Sequence, residues 1–185
     1  MTKSLRIRKS LRIVLSVVAV LASVVLVLGI TVAFRMPPAA VSAPDAEKAF
    51  EKLKSLAGTW DSDDPKEPLT VKFRVTSNGS AILSEMEAPP DNMVTMYHLD
   101  NGRLLMTHYC AAGNQPRMVG KISHDGKTIS FDFIDGTNIN RDQDGHMHRF
   151  VITVDDANHH SEDFIYQPKW GFMLVPVHAN LRRTQ

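Results

Sequence analysis

Three patterns of apolar and polar positions follow one another along the chain. The first is a run without charge, 22 residues from Ile13 to Phe34. Lys3, Arg6, Arg8, Lys9 and Arg12 precede it and Arg35 closes it. As a helix it would be about 33 Å long at 1.5 Å per residue, against a hydrocarbon core about 30 Å thick. The second pattern is helical. Phe50, Leu53, Leu56 and Ala57 fall on one face, and Lys48, Glu51, Lys52 and Lys54 mostly on the other. This predicts a helix over Asp45–Ala57, opened by Ser42 and Asp45 at capping-box spacing and stopped by Gly58. The third pattern has a period of two. Leu69, Val71, Phe73 and Val75 alternate with Thr70, Lys72, Arg74 and Thr76, as a half-buried strand does.

Turn chemistry then punctuates the chain. Ser77-Asn78-Gly79-Ser80, Asp100-Asn101-Gly102, His124-Asp125-Gly126-Lys127 and Asp155–Asn158 each separate two alternating segments. The predicted strands include Ala81–Glu87, Met93–Leu99, Arg103–Cys110, Arg117–Ser123, Thr128–Phe133 and His146–Val154. Two or three more follow, the last ending at Leu181–Arg183. Ala88–Asn92, Cys110–Pro116 and Asp135–Gly145 read as loops. About eight to ten short strands with turns every 8–12 residues indicate a mainly β, antiparallel meander, either sandwich or barrel. Closure removes exposed sheet edges, which favours the barrel, with one helix capping its N-terminal side.

Composition changes this picture in two places. The chain of 185 residues has 21 Lys and Arg against 20 Asp and Glu. Six of the basic residues precede residue 44 and no acid does, so residues 44–185 keep 15 basic against 20 acidic side chains, a net of −5. An acidic domain is a poor polyanion binder, and no nucleic-acid partner is expected. The basic flank and apolar run read as a signal anchor or signal peptide over residues 1–35, with the basic region at 3–12 and the apolar region at 13–34. Val41-Ser42-Ala43 resembles a cleavage site, although Pro44 would hinder the peptidase. Uncleaved, the segment is a single-pass, N-in membrane anchor; cleaved, it leaves a secreted or periplasmic domain. Both readings place residues 45–185 outside the cytoplasm, in the cell envelope, after a linker at 36–44. The single Cys110 suits an oxidising compartment.

The order of helix, Gly58-Thr59-Trp60, strands and a closing Arg resembles the lipocalin-like (calycin) barrels. The resemblance covers about residues 46–185. It implies that Arg183, or else Arg182, packs on the Trp60 ring and plugs one barrel end. Within that class the chain is most similar to uncharacterised bacterial exported proteins. It shares with them Thr107-His108-Tyr109-Cys110, Gly113-Asn114-Gln115-Pro116 and a later His-x-His, here His146 and His148. Nitrobindin-like haem-binding barrels are a more distant likeness. Their Gly-rich run after the Trp is replaced by Asp61-Ser62-Asp63-Asp64-Pro65, and His178 is the only candidate for their C-terminal haem ligand. These departures argue against haem.

Candidate chemistry follows from which residues share a strand face. His146 and His148 alternate with Phe150, Ile152 and Val154 on one face, and Leu104, Met106, His108 and Cys110 share another. His98 shares a face with Val94 and Met96. If all three faces point inward, His98, His108, Cys110, His146 and His148 converge as ligands for zinc or copper. An enzyme or metal centre built from these five needs at least three of them in one pocket. The reading carried forward needs no metal and no catalytic residue. A small, partly apolar ligand is held by Met96 and Met106 on an apolar wall with Phe150, and Trp60 and Arg183 close the barrel below. His108, Asn114, Gln115, Arg117, His146 and His148 orient its polar end. The numerous methionines fill space, and Asp142, Asp144, Asp155 and Asp156 are solvated turn acids. The alternatives are a His- or metal-dependent envelope enzyme and a packed structural barrel that presents loops to a partner.

Overall fold

The computed structural model describes residues 43–140, 144–169 and 173–185. The predicted anchor at 1–35, the linker up to residue 42, and Asp142 lie outside the described residues. Among the described residues no helix is long and apolar enough to cross a membrane.

The helix α1 spans Ala43–Lys54 and buries Ala46, Ala49, Phe50 and Leu53. It includes Ala43 and Pro44, two residues before the start that the periodicity predicts. Pro44 lies in the first turn, where its missing N–H costs nothing. The helix also ends earlier than Ala57. The chain tightens there, with Leu56 N–H donating to Leu53 O and Ala57 N–H to Lys54 O, a common way to finish a helix.

Ten strands follow: β1 (Gly58–Ser62), β2 (Thr70–Thr76), β3 (Ala81–Ala88), β4 (Asp91–Asp100), β5 (Arg103–Tyr109), β6 (Gln115–Ile122), β7 (Thr128–Thr137), β8 (His146–Val154), β9 (His159–Gln167) and β10 (Val175–Arg183). Each pairs antiparallel with its sequence neighbours, and β1 also pairs with β10, which closes the barrel. The predicted turns are where the chain reverses. Asn78, Gly79, Asn101, Gly102 and Gly126 have φ between 49° and 86°, the left-handed region that Asn and Gly tolerate.

One barrel end is sealed. Trp60 is fully buried and its Nε1–H donates to Leu56 O at 2.8 Å. Arg183 lies opposite Trp60 in the register, with its guanidinium carbon 4.1 Å from the ring centre. The same guanidinium donates to the carbonyls of Ser55, Ala57 and Ala157. One side chain therefore ties the helix exit to the β8–β9 turn and caps the indole face. Above this floor, Tyr97, Phe131, Phe150 and Phe164 form a row of rings across the interior, with successive centroids 5.5, 6.1 and 4.8 Å apart. Met106, Met118, Ile129 and Ile152 fill the space around them.

Candidate functional site

The opposite end is open. β1 is only five residues long and pairs with β10 only at Leu181–Arg183. The first part of β10 therefore has no β1 partner, and the β1–β2 loop runs beside it, with Asp63 N–H donating to Asn180 O. A cavity of about 910 Å³ lies there, a size typical of small-molecule sites. Leu69, Met86, Met93, Met147, Phe164 and Ala179 supply most of its apolar wall. Phe164, the last ring of the aromatic row, faces it. His108, Cys110 and Tyr166 also line it. Asp63, Asp64 and Glu67 border it from the exposed β1–β2 loop.

His108 is the most deeply buried polar side chain of this wall, at 2% exposure. Its Nδ1 is 2.8 Å from Thr95 Oγ1, and its Nε2 has no hydrogen-bond partner. Burial lowers its pKa to about 4, because a charged ring there would lose hydration. The imidazole is thus neutral near pH 7. Behind it lies a chain of buried polar groups. Tyr97, two residues along β4 from Thr95, is fully buried and feels the charge of Glu162. Burial and, secondly, that carboxylate raise the Tyr97 pKa well above its ordinary value. Glu162 Oε1 accepts from His160 Nε2 at 3.2 Å, and the His160 ring stands edge-on to Trp60 at 4.3 Å. Polar side chains therefore run from the sealed end to the cavity wall.

The other predicted site residues lie elsewhere. Thr95 and Tyr97 are the buried positions of β4, so the alternation turns Met96 and His98 away from the core; His98 is exposed. Met106 is inside but packs in the core below the cavity, as does Phe150. His146 and His148 do not share the inward face of Phe150. Met147 pairs with Tyr166 and Arg149 with Ile165, so His148 is an extra residue, a β-bulge. The bulge brings Met147 into the cavity wall and leaves both histidines around Phe133, with His146 4.3 Å and His148 6.4 Å from that ring. Asn114 is buried, and its Nδ2 donates to Gly145 O at 2.8 Å, clipping the β5–β6 loop to the β7–β8 loop. Gln115 bonds within that loop region, to Gly113 O and from Asn138. Arg117 is exposed and pairs with Asp135 at 2.6 Å. None of these loop residues lines the cavity.

No family model matches the chain, and no curated protein does. Similar solved structures exist. One is a protein of unknown function from the DUF3598 family of Nostoc punctiforme, with TM-score 0.52 and 8% identity over 71% of this chain. The chain spans about half of that protein's length, 49%. Another is Rv2717c of M. tuberculosis, with TM-score 0.49 and 16% identity over 74% of this chain and 98% of its own. The first likeness concerns the barrel fold; the second is too weak to add to it.

Of the five imidazole and thiol candidates, only His108 and Cys110 meet in the cavity. Among the described residues no three His, Cys, Asp or Glu side chains are grouped to hold a metal. His178 borders the cavity mouth but has both ring nitrogens engaged, Nδ1 by Asp163 at 2.6 Å and Nε2 by Asn180 at 3.2 Å. The Asp163 hydrogen bond raises its pKa. Sequence reasoning missed Met86, Met93, Met147, Phe164 and Tyr166 as cavity wall. Their types were visible, but the cavity they share was not.

Proposed function

We propose that the chain is a lipocalin-like binding barrel for a small, partly apolar molecule, held outside the cytoplasm. The single observation that carries this is the 910 Å³ cavity at the open end, with an inner wall of methionines, Leu69 and Phe164 and a polar mouth formed by the β1–β2 loop. His108 is the polar anchor of that reading, since its Nε2 is the buried group on the wall without a partner. The methionines suit such a role, because flexible thioethers adapt to irregular apolar shapes. Placement in the envelope rests on the basic flank and apolar run before residue 35.

The test is saturable binding of an apolar fluorescent probe, anilinonaphthalene sulfonate, by wild type and by Ala179→Phe. Ala179 is a small, partly buried wall residue, and a ring there intrudes into the cavity. One site per chain in wild type and at least about tenfold weaker binding in the folded variant are expected, since the intruding ring takes the place of part of the bound probe. Equal binding by both proteins would end the reading.

A further inference from the structure

We propose that the inner wall of the cavity binds a soft monovalent metal ion, Cu(I), through His108 Nε2, Cys110 Sγ and the thioethers of Met86 and Met93. This rests on the reading of the cavity as a binding site and names the chemistry of its polar end.

The strand register brings the four donors together. Met86 and Met93 are directly opposite each other across β3 and β4. Thr95, two residues along from Met93, is opposite His108 on β5. His108 is therefore diagonal to Met93, and Cys110 is two residues further along the same chain. Opposite side chains on a sheet start about 5 Å apart and diagonal ones about 7 Å apart, a span that long thioethers and an imidazole bridge toward a common point. All four residues line the one cavity.

The imidazole is arranged as a ligand. Its Nδ1 is held by Thr95 Oγ1 at 2.8 Å, while Nε2 is buried and without a partner. Metal-bound histidines commonly use the other ring nitrogen in this way, donating to an oxygen that fixes ring orientation. With Nδ1–H donating to Thr95, Nε2 keeps its lone pair on a residue of the cavity wall.

The donor set selects the ion. Thioether and thiolate sulfurs favour Cu(I), whereas zinc is ordinarily held by Cys, His and carboxylates. The other imidazole that borders the cavity, His178, has both ring nitrogens hydrogen-bonded, and the carboxylates that border it are on the exposed β1–β2 loop. Hard cations would find no oxygen cage among these four groups. On binding, the Cys110 thiol releases its proton to solvent and the sulfur bonds the metal; the oxidation state does not change.

The experiment is an anaerobic titration of the full-length chain with Cu(I), using bicinchoninate as competing ligand. Wild type is compared with His108→Ala, Cys110→Ser and the volume-conserving pair Met86→Leu and Met93→Leu. The expected result is one Cu(I) per chain with copper–sulfur scattering in the X-ray absorption spectrum. Each variant should bind at least about tenfold more weakly, and the double Met→Leu protein more weakly still. The Leu variants keep shape and apolarity, so their folding is expected to hold. Anilinonaphthalene sulfonate binding is read on the same samples. Probe binding without Cu(I) binding overturns the metal site and leaves the cavity reading standing. Absence of both overturns both. Cu(I) bound with undiminished affinity by His108→Ala and the double Leu variant also overturns the site, because the metal then sits elsewhere.

Discussion

Arg183 shows how much one side chain does here. It stacks on Trp60 and donates to three main-chain carbonyls from two separate segments. A planar guanidinium can serve all four contacts at once, and an ammonium cannot. Arg183→Met keeps the apolar stem but removes every donor. It should cost about 1–3 kcal/mol in urea unfolding, since several charge-assisted bonds and a stacking contact are lost. Arg183→Lys should recover less than half of that loss; full recovery would mean that charge alone, rather than the fork, holds the barrel end. The His160–Glu162 pair above Trp60 is the opposite kind of residue-scale feature. Both side chains are almost wholly buried, at 0% and 1% exposure. A simple apolar filling would serve packing at least as well, because buried ion pairs seldom add net stability.

At the scale of elements, alternation predicted the existence of strands better than the direction of their faces. β5 reads correctly: Leu104, Met106 and His108 are all buried. β4 reads the wrong way, because Thr95 and Tyr97 are inside and Met96 and His98 are not. An alternating strand has two faces of similar composition here, and only pairing with Ser84 and Ile82 decides between them. β8 fails for a different reason. Its pattern is sound from Phe150 to Val154, and the bulge at His148 inverts what precedes it. Deleting His148 should straighten β8; Met147 stays opposite Tyr166 but shifts within the cavity wall. The expected outcome is a thermal midpoint lower by several degrees, equivalent to about 1–3 kcal/mol, with weakened probe binding. His148→Ala, which keeps the residue count, should change both much less. Equal effects of deletion and substitution would show that the side chain, rather than the bulge, matters.

The described residues form a barrel with one sealed and one open end, and a row of buried polar groups runs between them. This has a consequence for acid stability. His108 titrates near pH 4 in the fold, against about 6.5 in an unfolded chain. Between those values the unfolded state binds more protons. Stability is therefore complete above about pH 6.5 and falls as pH drops toward 4, by about 3 kcal/mol at most. His178, whose pKa is raised, works in the other direction, but it is half exposed and screened. Urea midpoints of chelator-treated protein from pH 7 to 4 should show this loss, and His108→Gln should flatten it. An unchanged slope in the variant would place the acid sensitivity elsewhere. The sequence by itself determined the mainly β meander, its turns and its capping helix, because period-two alternation and the left-handed turns of Asn and Gly are local properties of the chain. It also displayed the charge asymmetry and the apolar run before residue 35. Tertiary structure alone decided which strand faces point inward, that one extra residue in β8 sends two histidines to Phe133 instead of the cavity, and that Met86, Met93, His108 and Cys110 share one wall. Those outcomes depend on register between strands far apart in sequence, where a shift of one residue exchanges inside for outside.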